Sequence, residues 1–299
     1  RMQTIDDYQA RYQALESVRF RRDASGLILF DLDTAALSAT FSLQGAQLLS
    51  LQRAGQAPLL WLSERALFAP GRAIRGGIPF CWPWFGPAPD GSGKPAHGFA
   101  RSVPWRLTSL MAEEGAWVVR FQLSDNADTR ALWPHSFEAS LTYQLGSSLR
   151  VDFCVVNLDP TPFSMSYAFH SYFPVSDIRQ VEVAGLDGCR YIDQLRGMQY
   201  LQQQGALRFD GECDRIYLDA GGEYLLRDPL AARELLIQTE HCASAVVWNP
   251  WQDKAARLAD MDDSAFQNML CIECGNIADD RIVVPGGGAH TSAILLRYR

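Results

Sequence analysis

No apolar run in this 299-residue chain approaches the roughly 20 residues that a membrane helix requires. The longest, Ala57–Leu62 and Ala293–Leu296, are far too short, and the polar segment Arg1–Leu15 has no apolar signal core, so a cytoplasmic protein away from membranes is expected. A basic excess is also missing. Lys and Arg number 27 against 34 Asp and Glu, a net charge of −7, which argues against nucleic acid as a partner. An anionic small molecule stays possible where a few Arg converge. Cysteine lacks a framework: seven scattered residues, an odd number, read as reduced thiols rather than disulfides. Helical rhythm is thin, limited to the spacing of Ile5, Tyr8, Tyr12 and Leu15 and to one or two turns within 252–260. The lack of a βαβ alternation argues against a doubly wound nucleotide fold.

Two motif-like stretches also fall short. Gly91-Ser-Gly-Lys94 lacks the glycine spacing and following Ser/Thr of a phosphate loop, and Pro95 opposes a helix start, so it reads as an exposed turn. Cys271-Ile-Glu-Cys274 sits in a strand pattern, where residues i and i+3 face opposite ways and cannot grip one zinc ion; packed thiols are expected.

What the chain does contain is short strands. Leu27–Leu32, Leu37–Leu43, Trp117–Leu123, Phe137–Leu145, Leu149–Asn157, Val181–Val183, Ile216–Leu218, Leu235–Thr239, Ala243–Trp248, Met269–Glu273 and Thr291–Tyr298 are apolar or alternating, and turn residues separate them. The class is all-β, a sandwich or barrel. No repeat or linker forces a boundary.

Three places break the pattern. In Phe163–His170, Phe163, Met165, Tyr167 and Phe169 share a core-like face, while Ser164, Ser166, Ala168 and His170 form a small polar one ending in an imidazole. In Met269–Gly275, Glu273 lies among apolar neighbours, a costly position unless it is paired or faces a cavity. Between Arg72 and Arg106, Arg75 and Arg101 accompany Trp82, Trp84, Phe85, Phe99 and Trp105. Flat rings complement the C–H faces of a sugar, and Arg forks suit phosphate. Core packing is the alternative for the rings. Gly76 and Gly77 would allow close backbone approach to a ligand.

The motifs Arg75-Gly-Gly-Ile-Pro79, His97-Gly-Phe-Ala-Arg101, His170-Ser-Tyr-Phe173, Asp214-Arg-Ile-Tyr217, Trp248-Asn-Pro-Trp251 and Cys271-Ile-Glu-Cys-Gly-Asn276 occur in this order. Together they resemble the hexose-6-phosphate mutarotases, the glucose-6-phosphate 1-epimerase branch of the aldose 1-epimerases, over roughly residues 25–297. The resemblance implies one galactose-mutarotase-type β supersandwich with few short helices, spanning 1–299. It implies His170 as catalytic acid and Glu273 as catalytic base. It further implies Arg75, Arg101, Asp214 and His97 as substrate-binding or site-lining residues. A phosphorylated sugar is the expected partner, a monomer the favoured state, and no metal or other cofactor is required. The chain departs from the pattern at Ala96, where several relatives carry Gln, and at Cys274 after the Glu.

Mutarotation needs one acid and one base, expected here as an imidazolium on His170 and a carboxylate on Glu273. The competing readings are a non-catalytic carbohydrate-binding protein on the same fold and a mutarotase of unphosphorylated aldoses. A glycosidase would require a second carboxylate, such as Asp214, across the scissile bond.

Overall fold

The computed structural model describes residues 3–299; Arg1 and Met2, the start of the polar leading segment, lie outside the described residues. The chain's regular secondary structure is mainly antiparallel sheet, as the strand-rich reading expects. Nine strands form one large sheet in the order Leu207–Arg208, Glu182–Ala184, Glu223–Asp228, Arg233–Glu240, Ala289–Tyr298, Leu149–Asn157, Phe137–Leu145, Ala116–Ser124 and Arg106–Glu113. A second sheet runs Gln199–Gln202, Arg190–Asp193, Cys213–Leu218, Ser244–Asn249, Met269–Asn276, Tyr167–Phe169 and Phe80–Cys81, with Tyr172–Pro174 also paired to Met269–Asn276. The four strands from Val18–Arg22 to Gln47–Arg53 make a meander, and Phe163–Met165 pairs with Ile282–Val284. One cluster of buried side chains, including Phe80, Phe153, Tyr167 and Trp82, connects these layers. Its apolar burial is the main favourable term for folding.

Helices are short. Ile5–Tyr12 begins at a capping box between Thr4 and Asp7, which satisfies two end donors. Tyr8 and Tyr12 stack on Phe20, with ring centroids 5.5 and 5.8 Å away. The expected turns near 252–260 appear as Trp251–Ala255. Among the described residues no helix is long and apolar enough to cross a membrane.

Two sequence expectations change. Phe163–His170 is not one strand. It divides at Ser166, whose amide donates to Pro83 O (3.0 Å) and whose hydroxyl accepts from Phe85 N–H (2.9 Å). Phe163–Met165 and Tyr167–Phe169 therefore pair with different partners. Gly76 and Gly77 serve the backbone rather than a ligand. A Cβ on Gly76 would lie 2.5 Å from Leu62 Cα, and one on Gly77 2.1 Å from Leu48 O, and both residues have positive φ.

Candidate active site

The strand Met269–Asn276 carries the site. Trp248 and Tyr172 lie opposite Cys271 on its two neighbours, and Asp214 lies opposite Trp248 one strand further out. Directly opposed residues share a face. Asp214, Trp248, Cys271 and Tyr172 therefore form one row across four strands. Glu273 occupies the next row on that face, opposite Val246.

Two asparagines from the sequence motifs hold this platform. Asn249 donates to Phe266 O (2.8 Å) and Met269 O (2.9 Å) and accepts from Trp251 N–H (2.8 Å). Asn276 donates to the Tyr167 hydroxyl and His241 O, each at 2.7 Å. Both are buried, so their amides replace water as partners for groups that would otherwise be unsatisfied. Gly275 is required sterically, because a Cβ there would come within 1.9 Å of Tyr167 O.

His170 follows the strand Tyr167–Phe169, and its backbone N–H donates to Pro79 O (2.8 Å). Its ring stacks on Tyr172, with centroids 4.9 Å apart and planes at 15°. This aims Nε2 at Glu273 Oε1, 3.3 Å away. The loops from Arg75 to Arg101 wall the opposite side. A cavity of about 340 Å³ results, and Arg75, His97, Arg101, His170, Asp214 and Glu273 all line it. The six residues singled out in the sequence thus converge on one space, within the size range of small-molecule sites.

The aromatic expectation is only partly met. Trp82, Trp84, Phe99 and Trp105 are buried in the core; of the five rings, Phe85 alone lines the cavity. Its other flat surfaces are Trp248 and Tyr172, which sequence reasoning left without a role. Lys254 and Gln194 were also missed. Lys254 Nζ sits 3.2 Å from Glu212, 4.0 Å from Asp214 and 5.8 Å from the Trp248 ring centroid. Gln194 donates from its amide to Asp214. The Asp214–Trp248 strand register is the signal that would have joined these segments.

The two arginines differ. Arg75 is held by Asp260 (2.7 Å) and donates to the Tyr172 hydroxyl (3.2 Å). Asp260 is itself fixed, its backbone carbonyl accepting from Ser63 Oγ (2.6 Å). Arg101 donates to Ala96 O (3.3 Å) and has no carboxylate partner among the described residues. Its charge is therefore the freer one. The side chain at position 96 adds no hydrogen bond, but its carbonyl orients this guanidinium.

Burial works against the expected ion pair. Burial pushes the Glu273 carboxyl well up, with Asp214 adding to the effect. Burial also pushes His170 well down, helped by His97, Arg101 and Arg75. Together they favour neutral carboxylic acid and imidazole over carboxylate and imidazolium. The two arrangements hold the same number of protons and differ by one transfer across 3.3 Å. Either one presents one acid and one base. His97 is pushed down to about 3, chiefly by burial. Its Nδ1 accepts from Gly86 N–H (3.2 Å), so its own proton sits on Nε2. Burial raises Asp214 to about 6, against the opposing pull of Lys254 and Gln194.

Glu273 Oε2 is buried without a hydrogen-bond partner among the described residues. Such an atom costs about 1–3 kcal/mol, a penalty that a ligand hydroxyl would relieve.

Comparison with known proteins finds similar chains. The sequence profile of the aldose 1-epimerases matches residues 29–297. A protein of Escherichia coli K12 named "Putative glucose-6-phosphate 1-epimerase" is 34% identical over 280 residues, 93% of each chain. A protein of Cenchrus ciliaris with the same name is 36% identical over 259 residues, 83% of this chain and 78% of that one. The crystal structure of a "putative mutarotase" from Salmonella typhimurium superimposes with a TM-score of 0.88 at 31% identity, covering 94% of this chain and 93% of that one.

Proposed function

The chain belongs to the aldose 1-epimerase family, and from that premise we propose that it interconverts the α and β anomers of a hexose 6-phosphate, glucose 6-phosphate being the first substrate to test. One observation carries the proposal. His170 and Glu273 meet at 3.3 Å on the floor of a cavity whose walls hold Arg75 and Arg101.

Glu273 takes the proton from the C1 hydroxyl. The C1–O5 bond breaks as the C1 carbonyl forms, and His170 delivers a proton to O5. Rotation about C1–C2 exposes the other carbonyl face, and the same transfers in reverse close the ring. No net proton enters or leaves. A pair that holds one proton between its members matches this requirement, and positioned acid–base groups contribute about 10²–10⁴-fold each. A C1 hydroxyl bonded to Glu273 Oε2 favours the carboxylate and so draws the proton onto His170 for delivery.

The 6-phosphate does not react. Held by Arg101, with Arg75 beside it, it orients C1 over the pair, so remote binding energy assists the chemistry. Asp214, with Lys254 and Gln194 around it, accepts from ring hydroxyls, and His97 Nε2–H donates. The flat faces of Trp248 and Phe85 suit the sugar's C–H surfaces.

The test is NMR exchange spectroscopy between the anomers of glucose 6-phosphate, with and without protein. Exchange should accelerate strongly. In Arg101→Ala, the loss of a charge-assisted hydrogen bond should lower kcat/KM for glucose 6-phosphate roughly 10- to 100-fold and leave free glucose nearly unchanged. Absence of acceleration defeats the epimerase reading. An equal loss with both sugars defeats the phosphate reading.

A further inference from the structure

A second chemistry lies at and just beneath the floor of the cavity: His170 and Glu273 line it, and Cys271 is fully buried behind them. His170, Cys271 and Glu273 offer a ring nitrogen, a sulfur and a carboxylate oxygen that all lie within 4.8 Å of one another, and all three residues are buried. The sequence pattern joined Cys271 to Cys274, which alternation sends to the opposite face. The register joins it instead to Glu273, two residues along the same face, and His170 reaches both from the neighbouring segment.

We propose that this trio binds a thiophilic divalent cation of the zinc type, which reversibly silences the site by occupying its acid and its base. Two nitrogen or oxygen ligands at about 2.0–2.2 Å from a tetrahedral zinc lie roughly 3.4 Å apart. His170 Nε2 and Glu273 Oε1, at 3.3 Å, already have that spacing. A sulfur at about 2.3 Å from the ion requires an edge of roughly 3.6 Å. With all three atoms within 4.8 Å, the Cys271 sulfur therefore needs to move by roughly 1.3 Å at most, within reach of a side-chain rotation. Three protein ligands with a fourth position open toward a cavity is an arrangement zinc accepts. Mixed sulfur, nitrogen and oxygen donors select zinc or cadmium over magnesium or calcium, which take oxygen.

The exchange also balances in charge. As the cation enters, the thiol proton and the one shared by His170 and Glu273 leave for solvent. Two positive charges replace two, so the buried site gains no net charge. His170 Nδ1 has no partner among the described residues. A resident metal's histidine normally donates from its second nitrogen to a supporting group. That missing support marks an inhibitory, exchangeable site rather than a permanent centre. Binding itself is independent of the sugar reading; the inhibitory consequence rests on His170 and Glu273 being the proton-transfer pair.

Cadmium serves as the spectroscopic probe, because cadmium–thiolate bonding produces an ultraviolet charge-transfer band. One equivalent added to the intact protein should produce the band, EDTA should abolish it, and saturating glucose 6-phosphate should suppress it. Cys271→Ser should lack the band. Zinc should inhibit anomer exchange, and relative to its own uninhibited rate Cys271→Ser should need roughly tenfold more zinc or greater, since even a supporting partner of a metal ligand is worth 10- to 100-fold. A band that persists in Cys271→Ser, or no band in the intact protein, overturns the site. Should Cys271→Ser fail to fold, Cys271→Ala takes its place, and the suppression by sugar is read on the unaltered chain. A protein that binds cadmium at Cys271 but exchanges no anomers keeps the site and loses the epimerase reading. One that exchanges anomers with no cadmium band does the reverse.

Discussion

The two large sheets obey different rules. In the nine-stranded sheet, burial alternates along Leu149–Asn157 and Phe137–Leu145, so one face meets the core and the other meets solvent. In the second sheet, Ser244–Asn249 and Met269–Asn276 are buried at every position. One face of these strands packs on the core, while the other is walled in by the loops between Arg75 and Arg101. That second covered face holds Cys271, Glu273 and, one strand beyond Ser244–Asn249, Asp214. In the first sheet buried positions serve packing. In the second, the covered site face also holds carboxyl groups that burial disfavours, Glu273 and Asp214, and the difference marks where chemistry is placed.

If the contrast is sound, stability and activity should separate between the sheets. The largest effect belongs to Glu273→Gln, which keeps the shape but removes the base. Anomer exchange should fall by roughly 10²–10⁴-fold, with the melting transition unchanged or raised, because the isosteric amide removes an ionisable group from a buried site. Near-normal exchange rules out Glu273 as the base. Next is Phe153→Ala on the nine-stranded sheet. Phe153 is fully buried, with ring centroids 4.6 Å from Phe80 and 5.0 Å from Tyr167 across the interface. Its truncation should cost about 3–5 kcal/mol in urea unfolding, while exchange per folded molecule stays near normal. A collapse of activity in the remaining folded protein would blur the distinction between the sheets.

Asp214→Asn probes the same contrast through pH. Burial raises the folded Asp214 to about 6, above its unfolded value near 3.9. The unfolded chain therefore ionises first. Below about pH 4 the group has no effect on stability; its penalty builds as pH rises to about 6 and is constant beyond. Two pK units set its size at no more than about 3 kcal/mol. Asp214→Asn should lack this loss, so the difference in melting temperature should open in the variant's favour between pH 4 and 6. A difference that is flat across this window would place the Asp214 carboxyl in an ordinary, solvated setting.

Much of this organisation was legible in the sequence, and the gaps have physical causes. Alternation exposed Phe137–Leu145 and Leu149–Asn157 because one side of each strand is wet. Cys213–Leu218 and Met269–Asn276 were read short, since strands covered on both faces lose the polar alternation that marks their ends. Glu273 and His170 stood out as polar residues in apolar company. Lys254 and Tyr172 did not, because a lysine near a short helix and a tyrosine in a β-run are ordinary until strand register brings them to one cavity. The tryptophans misled for a related reason: composition records a ring but not which way it points. The burial that works against charge on His170 and Glu273 was not legible either, because sequence spacing carries no measure of burial.

The smallest expected effect lies on the solvent face of the nine-stranded sheet. Arg150 there forms paired hydrogen bonds to Glu240 (2.7 and 2.8 Å) and also binds Asp152. These bonds hold the Glu240 carboxyl below its usual range. Its contribution is therefore complete above the unfolded value and is lost as pH falls through the lower folded one. Glu240 is half exposed, so water and salt screen the pair, and removal of one surface partner costs about 0.2–1 kcal/mol. Glu240→Gln should thus lower stability slightly at neutral pH and low salt, by less in high salt, and not at all in strong acid. Anomer exchange should not change. A loss comparable to that in Phe153→Ala would mean that the wet face carries as much of the fold as the core face does, and the division of labour between the sheets would have to be redrawn.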